Sequence, residues 1–231
     1  MELQLHIKMN ENLYLRDPQE TEVGKTILHH SVELIHKMGF ENFTFKKLAE
    51  AAGTTEATVY RYFENKHRLL IYLTAWYWNW LHYQINFAIN NITEPGQKLK
   101  RIIQLLASPV KDDDTTSYIN EGHLHQIVVE QGLKAYLTKQ VTEDNKQQLF
   151  KPYKDLCGYI GNIILECNAD YKYSRSLAST LVEMAHLQTF FKDNLPSLTD
   201  FGGSQNEEQV ILFLNDLAEN CIKIKQDIAE K

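Results

Sequence analysis

The chain has 231 residues, 43% hydrophobic and 23% charged, ordinary proportions for a globular protein long enough to bury a substantial core. Its formal net charge of -6 excludes the bulk basic character of a nonspecific nucleic-acid binder, although a local basic patch suffices for a specific one. Met1 to Gln19 carries no signal-peptide pattern and no run of about 18 uncharged apolar residues occurs, so a cytoplasmic protein without a membrane span is expected. Cys157, Cys167 and Cys221 are odd in number and lack metal-type spacing, which fits small buried hydrophobes in a reducing compartment.

The pattern is helical nearly throughout, with no sustained alternation that would mark a sheet. Asp17-Pro18-Gln19-Glu20 offers a cap, a first-turn proline and a capping-box acid. A first helix then carries Val23, Ile27, Leu34, Ile35 and Met38 and stops at Gly39. Thr44 caps a short helix with Phe45, Leu48, Ala49 and Ala52 on its buried face, ended by Gly53. Thr55 caps a third helix through Phe63, and Asn65 a long fourth to about Asn91. Further helices are expected over 98–108, 119–137, 143–168, 174–194 and 206–229. The acidic run Asp112-Asp113-Asp114 reads as a solvated loop.

The segment from Phe45 to Phe63 is two short helices about a tight turn at Gly53-Thr54-Thr55, a helix-turn-helix arrangement. In such a unit the first helix braces the second, whose free face enters the DNA major groove. Val59 and Phe63 are four apart and pack on the Phe45, Leu48 and Ala52 stripe. At about 100° per residue, Ala57, Thr58 and Arg61 then point outward, with Tyr60 and Tyr62 on the flanks. Ala57 permits close approach, Arg61 suits guanine edges, and the tyrosine hydroxyls suit phosphates on the groove walls.

These residues, above all Ala57-Thr58-Val59-Tyr60-Arg61-Tyr62-Phe63-Glu64-Asn65-Lys66, resemble the N-terminal motif of the TetR family of transcriptional regulators, over roughly residues 20 to 75. The resemblance implies that Thr44, Tyr60, Tyr62 and Lys66 hold phosphates while Glu56, Ala57, Thr58 and Arg61 face bases. Thr55 would cap the recognition helix and touch a phosphate. Lys66 also suits an anion beside the free N–H groups that open the fourth helix. Glu56 departs from the family's usual neutral or basic residue. It either accepts from a cytosine amino group or simply suits the helix dipole. Residues 20–70 hold seven Lys/Arg and seven Asp/Glu, so this is expected to be a selective reader and a poor general DNA binder.

The fourth helix is apolar on two sides, as expected of a helix sandwiched between neighbours. Its stripe of Trp76, Trp80, Tyr83 and Phe87 reads either as ordinary core or, since the resemblance implies a ligand-binding domain here, as the wall of a pocket for a lipophilic or aromatic effector. His123 and His125 are two apart and diverge on a helix, so no metal is expected, nor any cofactor. The last two helices carry heptad-like seams, Leu181, Met184, Gln188 and Phe191, then Val210, Leu214, Leu217 and Cys221, continued by Ile224 and Ile228. The resemblance implies that these helices form a homodimer interface.

The expected fold is all-α, with a three-helix DNA-binding domain over 17–66 and a helical ligand-binding and dimerisation domain over 67–231. Two functions remain open: a ligand-responsive repressor acting as a homodimer on palindromic operator DNA, and a DNA-binding regulator whose C-terminal domain only dimerises or binds a protein. No nucleophile–base pair, helical metal motif or Gly-rich phosphate loop supports an enzyme.

Overall fold

The structure is a computed structural model, and it describes residues 6–110, 116, 118–201 and 208–223. Among these residues the chain forms eleven α-helices, three single 3-10 turns and no strand. It divides into two compact units. One comprises Met1–Trp80 with Val110–Tyr153, the other Leu81–Pro109 with Lys154–Lys231.

The first unit holds α1 (Glu22–Asn42), α2 (Phe45–Ala51), α3 (Glu56–Tyr60), most of α4 (Lys66–Ile89), α6 (Glu121–Gln131), α7 (Leu133–Tyr136) and α8 (Val141–Lys146). Asp17 caps only one 3-10 turn, Pro18–Glu20, by accepting from Gln19 N at 2.8 Å. Thr21 caps the α-helix itself, its Oγ1 accepting from Gly24 N at 3.0 Å. Gly39, at φ 74°, interrupts α1, which resumes for one short turn to Asn42. α1 packs on α2 and α6.

Leu69 through Trp78 of α4 are all buried, so this half of the helix is enclosed on every side. On it stands His125 of α6, its Nδ1 2.7 Å from Tyr77 Oη. Burial pushes the His125 pKa down to about 4 and the Tyr77 hydroxyl up, so both are neutral and the tyrosine keeps its proton. His123 faces elsewhere, onto Glu33 at 2.7 Å and the His36 ring at 4.0 Å. Among the described residues no three His, Cys, Asp or Glu side chains gather to hold a metal.

The segment ahead of the first helix belongs to this core. Ile7, Met9 and Leu13 are buried, and Gln19 grips the Ile7 backbone in both directions, accepting from its N at 3.3 Å and donating to its O at 2.7 Å. The expected 119–137 helix is broken at Gly132 into α6 and α7, and the expected 143–168 helix ends early as α8 because Gln148 takes φ 62°.

The second unit holds the end of α4, α5 (Pro95–Ala107), most of α9 (Lys151–Cys167), α10 (Ser174–Asn194) and α11 (Glu208–Lys223). Glu94 caps α5 with both carboxylate oxygens, on Gly96 N at 2.9 Å and Gln97 N at 2.6 Å. α10 packs on α5 and α11, and α11 on α5. Part of the heptad seam is consumed there. Leu181, Val210 and Leu214 are fully buried within the unit, while Met184, Gln188, Phe191, Leu217 and Cys221 are partly exposed. Leu212 and Phe213 on α11 are exposed. Ile224, Ile228, the Asp112–Asp114 run and the expected start of the last helix at Asn206 lie outside the described residues. No helix among the described residues is long and apolar enough to cross a membrane.

Candidate nucleic-acid interface

The short helices α2 and α3 are set by their caps. Thr44 Oγ1 accepts from Lys47 N at 3.3 Å, and Thr55 Oγ1 accepts from Thr58 N at 3.2 Å. Between them Gly53 takes φ 61°, a left-handed conformation that glycine adopts without Cβ strain, and Thr54 N returns to Ala49 O at 2.9 Å. Val59 and Phe63 are fully buried with Leu48, Ala49 and Phe45, so the turn presents α3 with its opposite side free. α3 proper ends at Tyr60, and Arg61 and Tyr62 complete it as tight turns.

Glu56, Ala57 and Arg61 are exposed, and Thr58 is half-exposed with its hydroxyl 3.0 Å from that of Thr55. The Arg61 guanidinium has no pairing partner among the described residues. Tyr60 is 49% exposed, its ring held edge-on by Phe45 at 5.0 Å. Thr44 and Thr55 are exposed at the starts of the two helices.

Two residues expected to face phosphates point inward instead. Tyr62 is 3% exposed, and its hydroxyl lies 2.8 Å from Thr21 Oγ1, the cap of α1. Its carbonyl accepts from Leu15 N at 2.8 Å, and Arg16 lies over its ring at 5.7 Å. The reason is angular. Tyr62 is three residues from Val59 and one from Phe63, so it sits at the edge of the buried stripe. Lys66 reaches back rather than out. Its ammonium donates to the carbonyls of Phe40 at 3.1 Å, Glu41 at 3.2 Å and Phe43 at 3.2 Å, and stands 4.8 Å from the Phe40 ring. The carbonyls at the end of α1 lack helical partners, and a cation satisfies them where the helix dipole is negative.

The other cations of the segment divide in the same way. Lys47 donates to Asn42 O at 2.9 Å, Arg68 pairs with Asp144 at 3.5 Å and Lys25 with Glu22 at 3.0 Å. Lys37 and Lys46, both exposed, have no partner among the described residues. Lys46, next to Phe45 on α2, was not among the expected site residues; its signal in the sequence is its place beside a buried aromatic in a capped helix, which forces it outward.

The aromatic stripe of α4 does not form one wall. Trp76 and Trp80 are 0% and 5% exposed, whereas Tyr83 and Phe87 are 52% and 76% exposed. Beyond Leu81 the helix is amphipathic, so a line along it passes from core to surface.

A capped helix-turn-helix with a free, small-faced second helix, followed by further helices, is the arrangement by which all-α DNA-binding proteins present a helix to the major groove. Residues 27–73 match the family described as bacterial regulatory proteins, tetR family. The matched stretch runs from within α1 across α2 and α3 into α4, so the similarity to that family lies in the helix-turn-helix segment.

No curated protein matches the sequence at a significant level. Solved structures share the fold along most of the chain. AibR in complex with isovaleryl coenzyme A and operator DNA is 15% identical with a TM-score of 0.59, covering 85% of this chain and 97% of its own. FadR from Bacillus subtilis in complex with stearoyl-CoA is 18% identical with a TM-score of 0.57, covering 86% and 97%. PfmR from Thermus thermophilus, a TetR family transcriptional regulator, is 17% identical with a TM-score of 0.54, covering 83% and 96%.

Proposed function

We propose that the chain is a ligand-responsive repressor that binds palindromic operator DNA as a homodimer. Residues 17–66 would read DNA, and residues 67–231 would sense an effector and dimerise. The exposed face of α3, with Arg61 unpartnered beside the small Ala57, carries this reading. Arg61, Ala57 and Thr58 contact base edges, and Thr44, Thr55, Tyr60 and Lys46 contact phosphates. Glu56, in the first turn of α3, lies on the same face and favours a cytosine amino donor over a phosphate.

Dimerisation follows from two-fold operators and from the apolar groups left open on the last helices. These are Leu212 and Phe213, with Phe191, Met184 and Leu217 partly exposed. Effector binding would shift the population between two dimer geometries that differ in the spacing of the recognition helices. That AibR was crystallised with an acyl-CoA and operator DNA together supports the pairing of the two functions on this fold.

The packed surroundings of Trp76 and Trp80 favour a second reading, in which the C-terminal domain only dimerises or binds a protein. Selection of bound fragments from a random DNA pool, then a screen of small molecules for release of the selected fragment, decides between them. Recovery of a palindrome and its release by a compound is expected. A palindrome that no compound releases favours the second reading, and an asymmetric site or no selected site contradicts both.

A further inference from the structure

The second unit contains an open cavity of about 330 Å3 between α5, the end of α9 and α11. This lies within the size range of small-molecule sites, roughly 300–1,000 Å3. Its apolar walls are Leu99 and Ile103 of α5 and Ala218 and Ile222 of α11, with the Cys167 thiol between them. These side chains come from α5 and α11, which pack on each other, and Gly96 at the start of α5 lines the opening, where an added Cβ would meet the Glu94 carboxylate at 3.1 Å.

The polar side chains lining the cavity are Glu94, Gln97, Lys100, Asn215 and Glu219, two carboxylates against one ammonium. Glu219 is held by Lys100 at 2.9 Å at the rim, and Glu94, which caps α5, lines the same opening. Asn215 donates one of its two amide N–H groups to Ile211 O at 2.8 Å, and its Oδ1 can accept. A further carboxylate, Glu166, pairs with Lys98 at 3.2 Å. Three carboxylates against two ammonium groups make the local field negative. The titration of the neighbours agrees: Glu219, then Glu94, hold the Lys100 pKa up, and burial followed by Glu94 and Glu166 pushes the Cys167 thiol up.

We propose that this cavity is the effector site and that it takes an apolar molecule with a protonated amine head, the chain lying against Leu99, Ile103, Ala218 and Ile222 and the ammonium donating to Glu219 and Asn215. The proposal rests on the ligand-responsive reading above and narrows it. A carboxylate or phosphate head at the same place meets like charge from Glu94 and Glu219, which disfavours anionic ligands by repulsion rather than by fit.

The test is calorimetric titration of the full chain with octylammonium, octan-1-ol and octanoate, which share one apolar body and differ in head charge. Wild type is expected to bind octylammonium at least about tenfold more tightly than octanoate, with octan-1-ol between. Glu219→Gln, at a partly exposed position that leaves the core untouched, is expected to cut that preference at least about threefold. Octanoate binding as tightly as the amine, a preference unchanged in Glu219→Gln, or binding of none of the three overturns the proposal. Release of operator DNA is read separately by fluorescence anisotropy. Amine binding with the expected Glu219 dependence but without release keeps the cavity as an amine-selective site and overturns its role as the effector site. Release by another compound while the amine fails to bind overturns the cavity alone.

Discussion

The front and the rear of the helix-turn-helix segment carry similar residue types and put them to opposite uses. On the front, Tyr60 is half-exposed and Arg61 has no partner among the described residues. At the rear, Tyr62 is buried on Thr21, and Lys66 spends its ammonium on three carbonyls at the end of α1. A tyrosine and a cation on each side therefore divide into a pair available to DNA and a pair that holds the helix-turn-helix against α1. The lesson is that a positive charge near a DNA-binding motif is informative only once its hydrogen bonds are counted.

Substitutions on the two sides should separate affinity from stability. The largest effect is expected from the front: Arg61→Ala with Tyr60→Phe, which keeps the ring on Phe45, should weaken operator binding by about a hundredfold or more, at roughly one to three kcal/mol for each specific contact in each half-site, with an unchanged melting temperature. Lys66→Met should do the reverse. Charge-assisted bonds to three carbonyls are lost, stability should fall by about 2–3 kcal/mol, and Tm should fall by roughly 5–10 °C in a thermal melt. A Lys66→Met variant that melts like wild type yet fails to bind DNA would return Lys66 to the front.

The rear support also predicts a pH dependence. His125, which anchors α6 on Tyr77, is held neutral in the fold with its pKa at about 4, against an ordinary value of 6.5 when unfolded. The unfolded chain therefore binds the extra proton between these values. Stability should rise as pH increases through this window, by up to about 1.4 kcal/mol per pH unit from this group, and level off above it. Denaturant titrations of wild type and His125→Gln at pH 5 and pH 7 check this; an equal pH response in both contradicts it. Smaller still, Tyr62→Phe should lose about 1 kcal/mol of stability with operator affinity within about twofold. Lys46→Ala should only flatten the dependence of log affinity on log salt, by about 0.9 per half-site.

Much of the front was legible before the structure. The caps Thr44 and Thr55, the turn at Gly53 and the buried pair Val59 and Phe63 fix the rotation of α3, and polar positions in register carried the family resemblance. The rear was harder. Lys66 can serve an anion or a carbonyl cluster, and only the interruption of α1 at Gly39 brings Phe40, Glu41 and Phe43 to it. Tyr62 could have been read from its place between Val59 and Phe63.

The N-terminal arm had no periodicity to read, since Ile7, Met9 and Leu13 are buried from an irregular segment. In the second unit one periodicity serves two surfaces, with Met184, Phe191 and Leu217 of the seams partly exposed. Val210 and Leu214 satisfy a helical seam inside the chain, and the same spacing that suggests a partner is met by α10 and α5. The cavity left no sequence signal, because Leu99, Ile103, Ala218 and Ile222 follow ordinary helical spacing, which does not tell a cavity wall from packed core.

The outward face of α3 is tested most directly by fluorescence anisotropy of the selected operator fragment with wild type and with Arg61→Ala, both verified as folded by their melting curves. An Arg61→Ala protein of unchanged Tm is expected to bind at least about tenfold more weakly and to lose discrimination at the base pair that Arg61 contacts. Equal affinity with unaltered sequence preference would mean that this face does not read DNA.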